Sequence, residues 1–152
     1  MNKIIKLDQI PSNKKLVLAG GVFDLLHYGH IKFLKEAKKY GDILIVALES
    51  DTTVQRLKGK SRPIFNQQIR AEILSELICV DYVILLNEMN SDKDYFDLVK
   101  AIKPDVIAVT KNDPQLDNKR KQAAGIGGEL KIVTDQINTP STSKLAQILK
   151  VE

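Results

Sequence analysis

Apolar residues fall into five short runs, Leu16–Ala19, Ile43–Leu48, Tyr82–Leu86, Val106–Val109 and Leu130–Val133. Each has the length of a strand, and each lacks the polar alternation of a strand with one face in water. Between them the period changes to that of helices. Ile31, Leu34 and Ala37 recur at three-residue spacing within a helix expected over 30–40, which Gly41 closes. Asn66 has the chemistry of an N-cap, and the helix it opens is expected to turn Ile69, Ile73, Leu74 and Leu77 toward the sheet. Ser91 with Asp94 three positions on reads as a capping box, and the helix it starts should end before Pro104. A fourth helix is expected over 115–124, ahead of Gly127 and Gly128. A last one opens at the Ser141, Thr142, Ser143 cluster behind Pro140. Strands alternating with helices predict an α/β fold, a Rossmann-like doubly wound parallel five-stranded sheet with helices on both faces. With strand order 3-2-1-4-5, ligands bind where that order reverses, beyond the carboxyl ends of the first and fourth strands. Two loops meet there, 20–30 and 110–114.

A length of 152 residues, 43% of them hydrophobic, suits one domain spanning residues 1–152. The formal charge of +4 is mild and contains no long run of one sign. It favours a small anionic ligand over nucleic acid, and the cluster Lys119, Arg120, Lys121 reads as a solvated helix face. Cys79 cannot form an internal disulfide, and its apolar neighbours Ile78 and Val80 make it a buried small hydrophobe. No stretch approaches the ~18 apolar residues of a membrane span. A soluble cytoplasmic protein is expected.

The loop after the first strand holds both histidines of the protein, His27 and His30, in the run from Gly20 through His30. Gly20 and Gly21 at the end of a buried strand let a ligand approach the backbone, and the following helix offers free N–H groups to an anion. A phosphate suits that place. Two imidazoles beside it can donate hydrogen bonds to oxygens that gain charge during in-line displacement at phosphorus. A metal centre is the rival, but His-x-x-His supplies two ligands with Asp24 as the only local third, so no metal site is assigned.

Gly21-x-Phe23-Asp24-x-x-His27-x-Gly29-His30 resembles the signature of the HxGH nucleotidyltransferase superfamily, which includes cytidylyltransferases, phosphopantetheine adenylyltransferase and sugar-phosphate adenylyltransferases. The resemblance implies that His27 and His30 bind the triphosphate and stabilise the transition state. It further implies that Gly20, Gly21, Val22, Phe23, Asp24 and Gly29 surround the nucleotide. Arg56-Leu57-Lys58-Gly59-x-x-Arg62-Pro63-Ile64, followed by Arg70, is similar to the heptose-1-phosphate adenylyltransferase and archaeal FAD synthetase-like branches. By that likeness Lys58, on a flexible loop, reaches phosphates as a third catalytic group. Asp24, Arg62 and Arg70 then serve the acceptor, the arginines having a structural role as the alternative. Pro140-Ser141-Thr142-Ser143 resembles the element with which the family opens its last helix and grips phosphates, and an ordinary N-cap is the plainer reading. Where some branches follow it with Arg, this chain has Ala146, for which Lys144 is a substitute. The segment Thr110-Lys111-Asn112-Asp113-Pro114 departs from the family in lacking glycine. Thr110, Lys111 and Asp113 are its nucleotide-binding candidates, and Lys111 and Lys119 are candidates for the acceptor's charge.

The resemblance implies an enzyme that joins a nucleoside monophosphate from an NTP, with ATP preferred and Mg²⁺ accompanying it, to a phosphorylated small molecule such as a sugar 1-phosphate. Gly29-His30-Ile31-Lys32 looks like the glycerol-3-phosphate cytidylyltransferase branch, so CTP with a polyol phosphate is an alternative. A nucleotide-binding module without turnover and a metal-dependent hydrolase are two others. Partners are the NTP and the acceptor, with neither nucleic acid nor membrane, and the family implies a homodimer.

Overall fold

The computed structural model describes residues 2–134 and 141–149; Pro140 of the last motif lies outside them. Five parallel strands, β1 (Leu16–Gly21), β2 (Ile43–Leu48), β3 (Tyr82–Leu85), β4 (Val106–Thr110) and β5 (Glu129–Thr134), form one sheet in the order β3-β2-β1-β4-β5. The expected strand order is therefore the observed one. Helices α1 (Tyr28–Lys38) and α3 (Gln67–Ser75) cover one face, packing Phe33, Leu34, Ala37, Ala71 and Leu74 on Val17, Leu44, Val46 and Val83. Helices α4 (Asp92–Ile102) and α5 (Leu116–Gly125) cover the other, where Val99, Ile102 and Ala123 meet Leu18, Ile45, Ile84 and Ile107. Alternate residues of the central strands feed the two layers, as the period of two requires.

The β1–β2 ladder runs all the way to Gly21↔Leu48, but β1 pairs with β4 only at Val17↔Val106 and Leu18↔Ile107. Both strands continue past that point, so they fork, and the crevice predicted at the reversal of strand order lies in the fork.

Local chemistry sets the element boundaries. Asn66 caps α3 through Ile69 N–H, and Ser91 with Asp94 forms the capping box of α4. Helix α1 starts two residues earlier than its apolar period suggests, because His27 is its N-cap. A further helix, α2 (Asp51–Lys58), capped by Ser50, occupies a stretch expected to be loop. Lys58 is its last residue, not part of a flexible loop, and Gly59 at φ 102° ends it in a conformation that favours glycine. A short helix α6 (Thr142–Ile148) opens at the Ser141 N-cap.

Two expectations need correction. Ile69 and Ile73 are 42% and 38% exposed, and the buried stripe of α3 is Arg70, Ala71 and Leu74. The helix is rotated because the Arg70 guanidinium finds acceptors inside, so a charged residue takes a core position. The fifth strand is not buried on both faces: β5 is an edge, and Ile132 is 46% exposed. At the other edge β3 is extended by residues 3–5, with Val83 N–H donating to the Lys3 carbonyl at 2.8 Å and Ile5 N–H to the Val83 carbonyl at 3.0 Å. No helix among the described residues is long and apolar enough to cross a membrane.

Candidate functional site

The chain leaves β1 through a strained turn. Phe23 and Leu25 have φ of 47° and 50°, a region that bulky residues seldom occupy. Two contacts hold them there. The Phe23 ring is buried in the space a side chain at position 21 would need, since a Cβ on Gly21 would stand 2.9 Å from it. Asp24, 1% exposed, accepts from Arg62 Nε at 3.2 Å, Ile64 N–H at 2.7 Å and Phe65 N–H at 3.1 Å. Its own carbonyl accepts from Thr142 Oγ1 at 2.6 Å, which ties the start of α6 to the same turn.

This turn delivers the two histidines as a stacked pair, ring centroids 3.9 Å apart and planes 29° from parallel, with Phe23 against His30. Gly29 N–H donates to His27 Nδ1 at 3.1 Å, and His27 N–H donates to His30 Nδ1 at 3.3 Å. A nitrogen that accepts carries no proton, so both rings are neutral and both carry the proton on Nε2. Burial pushes the pKa of each below its ordinary value. For His30, the neighbouring His27 and the Lys58 ammonium add to this against the pull of Asp24, and its pKa falls to about 4. The pair therefore presents neutral donors at neutral pH, fixed before any ligand arrives.

A cleft of about 250 Å³ lies over His30, lined by Gly20, Gly21, Val22, Phe23, Asp24, Phe33, Lys58, Arg62, Ala108, Thr110, Asp113 and Thr142. Most of the residues read from the motifs thus share one cavity. Others lie elsewhere or are already engaged. Arg70, 1% exposed, donates to the carbonyls of Phe65, Val22 and Glu49 and to Asp51, so its guanidinium braces the turn from behind rather than facing a ligand. Asp24 likewise has its carboxylate taken by the three donors above. Lys111 is exposed, and its N–H pairs with the Thr134 carbonyl. Ser141 spends its hydroxyl on the N-cap, and Ser143 accepts from Arg62 at 3.5 Å. Asp113 accepts from Lys119 Nζ at 2.6 Å and from Gln115 N–H at 2.7 Å. Among the described residues no group of three or more His, Cys, Asp or Glu is placed to hold a metal ion. Cys79 is half-buried, and burial pushes its thiol pKa up, as suits an inert residue.

A second cavity, of about 310 Å³, opens on the α4–α5 side and shares Gly20 and Gly21 with the first. Its floor is apolar, with Leu18, Ala47, Leu86 and Ile107, and its rim carries Arg56, Asn90, Ser91, Asn118 and Lys119. Glu49 and Tyr95 line it, 2.8 Å apart through a hydrogen bond from the tyrosine hydroxyl. The sequence reading named neither. The available signal was an acidic residue directly after a buried parallel strand, the position where such sheets place ligand contacts. Gly20 is the open point between the cavities, because a Cβ there would meet only the Ala47 carbonyl, at 3.9 Å.

The sequence matches the model of the cytidylyltransferase-like family over residues 18–146. It is 43% identical over 136 residues to the bifunctional protein HldE of Aliarcobacter butzleri, covering 88% of this chain and 27% of that protein. It is 47% identical over 102 residues to HldE of Helicobacter pylori, covering 67% and 21%. The chain spans about a quarter of the length of these curated relatives. The crystal structure of a lipopolysaccharide core biosynthesis protein from Thermoplasma volcanium superposes with a TM-score of 0.65 at 35% identity, over 84% of this chain and 99% of that one. Pantothenate synthetase from Thermus thermophilus, at 10% identity and a TM-score of 0.66 over 91% of this chain and 63% of that one, shares the fold.

Proposed function

The chain belongs to the cytidylyltransferase-like family and is a nucleotidyltransferase, and from that premise we propose that it transfers an adenylyl group from ATP to a sugar 1-phosphate or similar polyol phosphate, releasing pyrophosphate. The observation that carries this reading is the stacked pair of Nε2–H donors, of which His30 lines the cleft that shares Gly20 and Gly21 with the larger cavity. The triphosphate takes the histidine cleft and the acceptor takes the larger cavity. An oxygen of the acceptor phosphate attacks the α-phosphorus; the new P–O bond forms as the bond to the β-phosphate oxygen breaks, and that oxygen keeps the electron pair. His27 and His30 donate to the non-bridging α-oxygens, where charge grows, without themselves changing protonation. Lys58, at the end of α2 on the cleft wall, meets the charge of the departing pyrophosphate.

Thr110, Asp113 and Thr142 line the nucleotide side of the cleft, and Ser141 and Ser143 flank the start of α6. Arg62 is the acceptor candidate on the cleft wall, whereas Asp24 and Arg70 act through the backbone they brace. Asp24 is the carboxylate beside the histidines and is already occupied by protein donors, so the residues fit a Mg²⁺ that arrives on the triphosphate and keeps its water. When bound, it screens the phosphate charge.

The choice of ATP rests on the likeness of segment 56–64 to adenylyltransferase branches and on the HldE relatives, and the Thermoplasma protein's part in lipopolysaccharide core biosynthesis agrees with a sugar acceptor. The likeness at Gly29-His30-Ile31-Lys32 keeps CTP with glycerol 3-phosphate as the second reading. A pyrophosphate-release screen of ATP, CTP, GTP and UTP against sugar 1-phosphates, glycerol 3-phosphate and FMN decides between them. ATP with a sugar 1-phosphate should give the signal and His30→Ala should remove it; release without discrimination among acceptors, or full turnover in the variant, would overturn the reading.

A further inference from the structure

Glu49 directly follows β2, and its N–H donates to the Gly21 carbonyl at 3.1 Å, which places it beside the junction of the two cavities. It is 8% exposed and lines the larger cavity. Oε1 accepts from Tyr95, but Oε2 has no hydrogen-bond partner among the described residues. Among the described residues, the three cations whose charge acts on Glu49 make their hydrogen bonds elsewhere. Arg56 donates to the Asn90 side chain and to the Met89 carbonyl, Lys119 pairs with Asp113, and Arg70 gives the Glu49 backbone carbonyl one bond while its remaining donors go to Phe65, Val22 and Asp51. A buried carboxylate oxygen without a donor is costly, and a fold with three cations close by and none on it leaves that oxygen for a ligand.

We infer that Glu49 Oε2 accepts a hydrogen bond from a hydroxyl of the acceptor and so determines acceptor specificity, an inference that rests on the nucleotidyl-transfer reading above. The partner must be a donor, which excludes the acceptor's phosphate. Beside the charged Arg56, Asp92 and Lys119, the cavity is lined by Asn90, Ser91, Asn118 and Gln122, neutral groups of the kind that bind further hydroxyls. The cavity is thereby matched to a phosphorylated polyol with one hydroxyl directed at Glu49. A site built to bond a hydroxyl discriminates strongly against an analogue lacking it, since the buried group is left unpaired.

The test uses the full chain with ATP, the best sugar 1-phosphate from the screen, and that compound's monodeoxy analogues. Wild type should lose at least about tenfold in kcat/KM on one deoxy analogue. In Glu49→Gln and Glu49→Ala, KM for the parent acceptor should rise by about tenfold with KM for ATP unchanged, and the penalty on that analogue should vanish. Tyr95→Phe, which leaves the carboxylate in place, should show a smaller rise. Calorimetric titration of sugar 1-phosphates in the presence of a non-hydrolysable ATP analogue supplies a readout that needs no turnover. Turnover with unchanged acceptor KM and unchanged deoxy penalties in the variants would overturn the role of Glu49 and leave nucleotidyl transfer standing. Sugar-phosphate binding that the variants lose, without turnover in wild type, would overturn the transfer reading and leave the role of Glu49. Neither binding nor turnover, or a preference for phosphoethanolamine over every polyol phosphate, would overturn the inference.

Discussion

The two cavities that share Gly20 and Gly21 are built on opposite principles. Around the histidine cleft the imidazoles and Asp24 have their buried acceptors satisfied by the protein. The two Nδ1 atoms hold backbone N–H groups, and Asp24 holds three donors. In the cavity over α4 and α5 the floor is apolar and one carboxylate oxygen has no donor among the described residues. The first is rigid and spends nothing on adapting to its ligand, as a site that stabilises a transition state must be. The second carries an unmet demand, as a site that chooses between ligands must. On the proposed reading, preorganisation and selectivity are divided between two walls of one crevice.

The largest expected effect comes from loosening the rigid side at its anchor. Asp24→Ala leaves Arg62 buried without its carboxylate and should cost about 3–5 kcal/mol, read as a lower urea midpoint. Next, if His30 donates in the transition state as proposed, His30→Ala should lower kcat by about 100- to 1,000-fold, measured by single-turnover pyrophosphate release on a chain whose folded circular dichroism is unchanged. The glycine pair then separates the two roles within one dipeptide. Gly21→Ala drives a methyl into the Phe23 ring and should cost about 1–3 kcal/mol of stability. Gly20→Ala has room for its methyl, so stability should hold while turnover falls because the passage between the cavities narrows. Equal melting temperatures for the two alanine variants would erase the distinction.

The smallest effect is a difference of sign with pH. The folded-state pKa of His30, depressed to about 4 from 6.5, makes the unfolded chain bind the extra proton between those values. Its contribution to stability is therefore complete above pH 6.5 and is lost as pH falls toward 4. Glu49 has its pKa raised by burial, so its contribution runs the other way, complete below the ordinary glutamate value of 4.5 and lost as pH rises through the folded value. Denaturation curves of wild type against His30→Ala and against Glu49→Gln should diverge in opposite directions along the pH axis. Nuclear magnetic resonance of the imidazoles should find both as Nε2–H tautomers at neutral pH.

The fold could be read from the chain because its information is local. A run such as Ile43–Leu48 is apolar at every position only where helices cover both faces of a sheet, and Asn66 and the pair Ser91 and Asp94 announce helix starts within one turn. The histidine pair was legible for the same reason, since four residues hold both rings and the start of the helix. Arg70 was misplaced on α3 because only apolar residues were allowed into the core, and its acceptors come from Val22, Glu49 and Asp51, far away in sequence. Glu49 is hard to read locally for a related reason: its place after a buried strand is a signal, but its partner Tyr95 stands 46 residues on. The helix α2 was hidden by a polar sequence whose buried face is reduced to Thr53 and Val54.

The parting of β1 from β4 after Leu18 and Ile107 is a property of main-chain pairing. The gap it leaves is accordingly set by peptide geometry, and the span between the neighbouring compartments is independent of what furnishes either one. Replacing Glu49, Tyr95 or the α4 rim would refit the chamber for another ligand, while the distance to the imidazoles stayed as the backbone dictates.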